Sequence, residues 1–201
     1  MKLLQAVEER RAVKHYDADF MMPEEDIKTL IETTLKSPTS FNIQNWRIVL
    51  VEDSAKKQAI RKAAWDQAQI TDASLTFVLC ADLKAWDKDP ARYWRDAPQA
   101  VQDILVPMIQ PFYESREWMQ RDEAMRSVGI AAQTMMLTAK ALGYDSCPMI
   151  GFDQDEVAKI INLPEEHVIG MLLVVGKAAK PANPRGGQLP ADDVIIKDCF
   201  K

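Results

Sequence analysis

The sequence predicts a single domain, residues 1–201, that mixes α-helices with buried β-strands, and three observations carry that expectation. Short apolar runs at 47–51, 75–80 and 168–175 read as buried strands. Segments with apolar residues at helical spacing lie around them, Ile27, Leu30, Ile31 and Leu35 being one such set. The chain of 201 residues is 47% hydrophobic and 27% charged, which gives it the length for a sizeable core.

In chain order, residues 2–13 read as a short surface helix ending in Arg10-Arg11-Ala12-Val13-Lys14-His15-Tyr16. Pro23 followed by Glu24, Glu25 and Asp26 opens the next helix, with acids at its positive dipole end, and Pro38 ends it. Ser54 is the expected cap of a helix running to about Asp66. Between Trp86 and Trp118, six aromatics (Trp86, Tyr93, Trp94, Phe112, Tyr113, Trp118) are punctuated by Pro98, Pro107 and Pro111. The prolines argue against a long helix, so 86–118 is expected to be either a lid or pocket wall, or an irregular helical hairpin packed on the core. Residues 127–142 read as a helix apolar nearly all round, suited to a core or a subunit interface, with Gly143 as its left-handed stop. Asp153-Gln154-Asp155-Glu156 resembles a capping box for a helix to Asn162. In the tail, 177–201, Val194-Ile195-Ile196 is a strand candidate whose apolar end is expected to dock on something, a second subunit being one choice.

Several function classes are disfavoured. A net charge of −5 argues against a dedicated nucleic-acid binder. The first residues turn acidic before a signal-like core develops, and the run 168–175 is too short to span a bilayer as a helix. Cys80, Cys147 and Cys199 are odd in number and far apart, which fits reduced thiols; the expected location is the cytoplasm, without membrane association. His15 and His167 are not spaced with other ligands, so no metal is expected. Neither a phosphate-binding glycine loop nor a dinucleotide fingerprint is present. Asp192-Asp193 reads as a solvated loop. If the chain is an enzyme, a bound cofactor is expected to carry the reactivity.

Two features point to what that cofactor would offer. Residues 37–47, S-P-T-S-F-N-I-Q-N-W-R, hold six neutral hydrogen-bonding side chains (Ser37, Thr39, Ser40, Asn42, Gln44, Asn45), more than a connector needs and enough to surround a polar ligand. Arg10, Arg11 and Lys14, with Arg185 beside Gly186-Gly187, could hold a phosphate or could form a solvated basic helix end.

Four segments, in order and spacing, resemble the nitroreductase family of FMN-dependent, NAD(P)H-consuming oxidoreductases. They are R-R-A-V-K-H-Y at 10–16, the 37–47 stretch, G-I-A-A-Q-T-M-M-L-T-A-K-A-L-G-Y-D-S-C-P-M-I-G-F-D at 129–153, and V-V-G-K-A-A-K-P with P-R-G-G-Q-L-P within 174–190. The resemblance implies an α+β fold with a mostly antiparallel central sheet, flanking helices and an intertwined homodimer whose C-terminal segment, 177–201, adds a strand to the partner. It implies FMN held by Arg10, Arg11, Ala12, Lys14 and Arg185 of one subunit and by Pro38, Thr39, Ser40 and Asn42 of the other. Pro148, Met149, Ile150 and Gly151 would lie over the flavin face, the Gly151 N–H near N5, and no catalytic side chain would be required. A small-molecule electron acceptor, nitroaromatic, quinone or activated alkene, would follow NAD(P)H into a pocket shaped by Phe41, Phe112 and Tyr113. Dehydrogenation, dehalogenation or flavin fragmentation on the same scaffold, or a non-catalytic flavin-binding dimer, are the alternatives.

The chain departs from the family pattern at five places. Ala12 stands where serine is common, Asn45 where proline is, Ile150 where one subgroup has glutamate, and Gln188 where arginine is. Asp66 stands where asparagine is frequent and faces the flavin. Its carboxylate is expected to disfavour the anionic reduced flavin, unless it is an exposed helix-end acid too remote to matter.

Overall fold

The computed structural model describes residues 1–200. Its centre is one antiparallel sheet in the order β1-β2-β4-β3, formed by β1 (Trp46–Leu50), β2 (Leu75–Asp82), β3 (Asp145–Met149) and β4 (His167–Gly176). The helices are α1 (Leu3–Glu9), α2 (Glu24–Thr34), α3 (Ser54–Ala63), α4 (Gln69–Asp72), α5 (Gln99–Tyr113), α6 (Glu117–Ala141), α7 (Gln154–Ile160) and α8 (Ala191–Val194). This is the α+β architecture with an antiparallel sheet that the resemblance implies.

Every residue of β2 is buried, because helices cover both faces of the sheet. Period-two alternation divides the strand between them. Val78 and Cys80, with Leu172 and Val174 of β4, pack against Ile60 of α3 and Val157 of α7. Phe77, Leu79 and Ala81, with Leu173 and Val175, pack against Leu30 of α2 and Val128, Ala131 and Met135 of α6. Each fully buried side chain of this size contributes about 2 kcal/mol by transfer from water. Gly170 lets α6 come this close: an added Cβ would lie 2.5 Å from Val128 Cγ1. A third cluster (Ile43, Trp86, Tyr93, Ile109, Tyr113) sits away from the sheet, under α5.

Several local expectations are corrected. Asp53, not Ser54, caps α3, its carboxylate accepting from Lys56 N at 2.7 Å. That helix stops at Ala63, because Trp65 and Asp66 turn left-handed (φ 54° and 58°). Pro107 and Pro111 lie inside a continuous 15-residue α5; burial of Ile109 and Tyr113 outweighs the missing donors. The long helix begins ten residues before Ser127, at Glu117, and Ile130 on it is exposed. Val194 closes the short α8 instead of opening a strand, and Ile195 and Ile196 are exposed.

Candidate active site

The N-terminal basic residues are arranged by their alignment with β3. Ala12 bridges Ser146 in parallel, and Val13 N donates to Ser146 O at 3.1 Å. Extended backbone sends alternate side chains to opposite sides, so Val13 is buried in the core while Ala12 and Lys14 are exposed. Arg10, at the C-cap of α1, is half-buried.

Arg11 and Arg185 meet at the end of α1. Arg11 Nη1 donates to the carbonyls of Glu8 (2.6 Å) and Arg10 (3.1 Å). Arg185 Nη2 donates to the carbonyls of Val7 and Glu8 at 3.2 Å and of Arg10 at 3.4 Å. These are the orphan acceptors at the negative end of a helix, where cations are favoured. Among the described residues, no carboxylate lies within 4 Å of a charged nitrogen of Arg10, Arg11, Lys14 or Arg185. Burial, then the like charges of Arg185 and Arg11, hold the Arg10 guanidinium below its ordinary pKa. Burial pushes the neighbouring Cys147 thiol up, and Lys14 and Arg10 only partly offset that. Arg11 and Arg185 are held by helix-end carbonyls, while Arg10, crowded by both, and Lys14, which meets Arg10 at Cys147, have no carboxylate within 4 Å among the described residues, so this end of the chain gains from an anion.

β3 ends at Met149, and Ile150, 76% exposed, projects from the turn after it. Gly151 O accepts from Gln67 Nε2 at 2.8 Å. Gln69 Nε2 donates to Gln67 Oε1 at 3.0 Å and lies 3.7 Å from Met149 Sδ. The left-handed turn at Trp65 and Asp66 brings the indole against Gly151, where an added Cβ would be 3.0 Å from Trp65 Cζ3. Sequence reasoning missed Trp65, Gln67 and Gln69; two glutamines directly after a helix were the available signal. Asp66 itself is 77% exposed and paired with Arg61 Nε at 2.7 Å.

The 37–47 stretch is a strained loop. Phe41, Asn42 and Gln44 all have positive φ (49°, 54° and 43°), a costly arrangement outside glycine that marks functional loops. Much of its polarity is spent internally. Gln44 N donates to Thr39 Oγ1 at 3.0 Å, and Asn42 Nδ2 to Tyr93 O at 2.7 Å. Trp94 Nε1 donates to Phe41 O at 3.0 Å, and Ser40 N to Glu123 Oε1 at 3.2 Å. Pro38 is exposed and Ser40 half-buried. Glu123 was not singled out from the sequence, since a contact 83 residues away leaves no local pattern.

Phe41 lies 5.3 Å from Phe112 and 6.2 Å from Tyr113, centroid to centroid. Tyr113 is only 1% exposed, so it supports the two phenyl rings from below and presents no surface of its own to a ligand. The loop's partners, Tyr93, Trp94 and Glu123, belong to neither the basic cluster nor the 148–151 turn. Among the described residues no three His, Cys, Asp or Glu side chains are grouped to hold a metal, and no helix is long and apolar enough to cross a membrane.

Known proteins share this sequence pattern and fold. The sequence pattern of the Nitroreductase family matches residues 7–177. Protein DrgA of Synechocystis sp. is 49% identical over 182 residues, spanning 90% of this chain and 87% of its own. A Thermus thermophilus protein named NADH dehydrogenase is 30% identical over 200 residues, spanning 93% and 91%. Among solved structures, an Exiguobacterium sibiricum protein in complex with FMN superposes with a TM-score of 0.88 at 28% identity, covering 98% of this chain and 97% of that one. With most of its length matched, the chain belongs to the Nitroreductase family and is an oxidoreductase.

Proposed function

We propose that the protein binds FMN and uses NAD(P)H to reduce nitroaromatic, quinone or other electron-poor small molecules, working as a homodimer. The observation that carries this reading is the pair Arg10 and Lys14, with no carboxylate within 4 Å among the described residues, meeting at Cys147 just before the 148–151 turn, with Arg11 and Arg185 crowded against the end of α1 behind Arg10. A phosphate monoester supplies the missing charge, and guanidinium forks suit it. The FMN complex of a similar protein and the name of the Thermus relative support the same reading.

Bound FMN would supply two-electron chemistry, accepting hydride from NAD(P)H and delivering it to an acceptor that takes the vacated place. The chain's own residues prepare the site for this. Arg10 and Lys14 hold the phosphate, with Arg11 and Arg185 fixing the helix end behind it. Ala12 carries no side-chain donor, so recognition of the flavin there falls to the backbone. The Gly151 N–H, which donates to no acceptor among the described residues, is available to the N5 edge, and Gln67 fixes its peptide from the carbonyl side. Pro148 and Ile150 give an apolar floor, supported from below by the buried Met149.

Pro38, Thr39, Ser40 and Asn42 act on the flavin of the partner subunit, which is why their own-chain contacts lie elsewhere. The aromatic segment 86–118 walls the acceptor pocket through Phe112, with Phe41 alongside, and the apolar tail 177–201 reaches the partner. Asp66 acts on the flavin's potential through its charge, moderated by Arg61.

Purified protein is expected to be yellow and to release FMN on denaturation, and to oxidise NADPH when a quinone is present. Arg10→Ala and Lys14→Ala should each weaken FMN binding by about tenfold or more, as loss of a charge-assisted contact requires. Colourless protein that cannot be reconstituted with FMN overturns the proposal. Bound flavin without turnover overturns its enzymatic half.

A further inference from the structure

We infer that the cleft between the 42–47 loop and the 92–97 turn is a subsite for the phosphate groups of the dinucleotide co-substrate, an inference that rests on the NAD(P)H reading above. The cleft has a volume of about 600 Å³, and its lining includes Asn42, Gln44, Arg47, Arg92, Trp94 and Arg95. No carbonyl or carboxylate holds the Arg92 guanidinium among the described residues; it rests over the Tyr93 ring, 5.3 Å from the centroid. Stacking of this kind fixes the guanidinium plane while leaving its edge N–H groups free. Arg95 pairs with Asp96 at 3.7 Å, but both side chains are highly exposed, so the pair is weak and readily exchanged for a better anion. Arg47 is different. Its Nη1 donates to the carbonyls of Gln44 and Trp46 at 2.9 Å and its Nη2 to Asp82 at 3.3 Å. It therefore shapes the floor, and Arg92 and Arg95 are the ligand-binding cations.

The walls are preassembled. Asn42 Nδ2 donates to Tyr93 O and Trp94 Nε1 to Phe41 O, so loop and turn form one body and little ordering cost remains on binding. The same loop carries Pro38–Ser40, assigned above to the flavin. From Ser40 to Gln44 the backbone can span at most about 14 Å. A ligand whose ring stacks on the flavin and whose phosphates lie several bonds away matches that layout. A compact nitroaromatic or quinone has no anion to place there. In the proposed homodimer each protomer's cleft thus serves the flavin that its loop contacts, the one held by its partner.

The test is steady-state kinetics of Arg92→Ala, Arg95→Ala and the double variant with NADPH and with NADH, against a neutral quinone and a carboxylated nitroarene. Arg121→Ala, which removes an exposed charge elsewhere, controls for overall electrostatics. The double variant should raise the KM for NADPH about tenfold, with the quinone KM and flavin content unchanged. A rise confined to NADPH assigns the 2′-phosphate, and an equal rise with NADH assigns the pyrophosphate. Unchanged KM values for both nucleotides overturn the inference, as does a rise seen only with the carboxylated acceptor. Calorimetric binding of adenosine 2′,5′-bisphosphate needs no turnover. Binding by the unsubstituted protein and its loss in the double variant, with no NADPH oxidation by either, would uphold the subsite and reject the enzymatic reading instead.

Discussion

Replacing Glu123 with leucine removes the contact that ties the strained 37–47 loop to α6. Its carboxylate is 14% exposed and approached by Ser40 N at 3.2 Å, Ser127 Oγ at 3.4 Å and Arg126 Nη1 at 3.5 Å. A hydrogen bond to a charged group contributes about 1.5–3 kcal/mol. The long Ser40 contact, the partial exposure and the competition from Arg126 place this one near or below about 1.5 kcal/mol. The loop holds Phe41, Asn42 and Gln44 in left-handed backbone, so losing the tether lets it relax away from the geometry proposed to meet the flavin. With 1.4 kcal/mol per factor of ten, the FMN dissociation constant should rise about five- to tenfold. Glu123→Gln keeps an acceptor for Ser40 N and should recover most of that loss. The measurement is recovery of FMN fluorescence on dilution, with sedimentation confirming an unchanged assembly state. A leucine variant that binds FMN as tightly as the parent refutes the tethering role, whatever its stability.

Three further expectations test other parts of the structure. Asp66→Asn should raise the flavin midpoint potential and Arg61→Ala, which unmasks the Asp66 carboxylate, should lower it; spectroelectrochemistry showing both unchanged removes Asp66 from the site. Gly170→Ala should cost about 1–3 kcal/mol in urea unfolding, because its Cβ meets Val128 and the Leu79 carbonyl. Adding Val128→Ala should restore part of it, and simple additivity of the two losses would contradict that steric account. Burial, opposed by Asp82, holds the His167 pKa below 6.5 in the folded chain. The unfolded chain therefore binds the proton more readily in that window, so stability is full above pH 6.5 and declines as pH falls toward the folded value. His167→Gln should flatten the difference in urea midpoint between pH 7.5 and 5.5, and an unaltered difference would assign the slope to other groups.

The parts of this fold legible in the sequence are those where one local property decides the outcome. β2 and β4 are continuous apolar runs because helices cover both faces of the sheet. Asp153 sits at the N-cap of α7, accepting from Glu156 N as its position in the sequence suggests. β3 was invisible because Asp145-Ser146-Cys147-Pro148-Met149 has no apolar run; its strand geometry is imposed by β4 on one side and residues 12–13 on the other. The prolines of α5 misled for the opposite reason, tertiary burial outweighing a local penalty. At the site, the basic residues and the polar loop could be picked out by residue type. The division of labour among them could not. That Arg11 and Arg185 hold a helix end, that Asn42 spends its amide on Tyr93, and that Glu123 and Gln67 position backbone groups are consequences of contacts between distant segments.

The hydrogen bond from Arg185 to the Arg10 carbonyl joins residues 175 positions apart. On a ribosome, which delivers Arg10 first, the basic cluster stays open until all of the sheet-forming sequence has emerged. If the flavin site proposed above needs the helix end that Arg185 braces, flavin binds tightly only after the strands have assembled. In a refolding experiment, quenching of FMN fluorescence should lag behind the appearance of sheet structure, making the cofactor a reporter of completed folding.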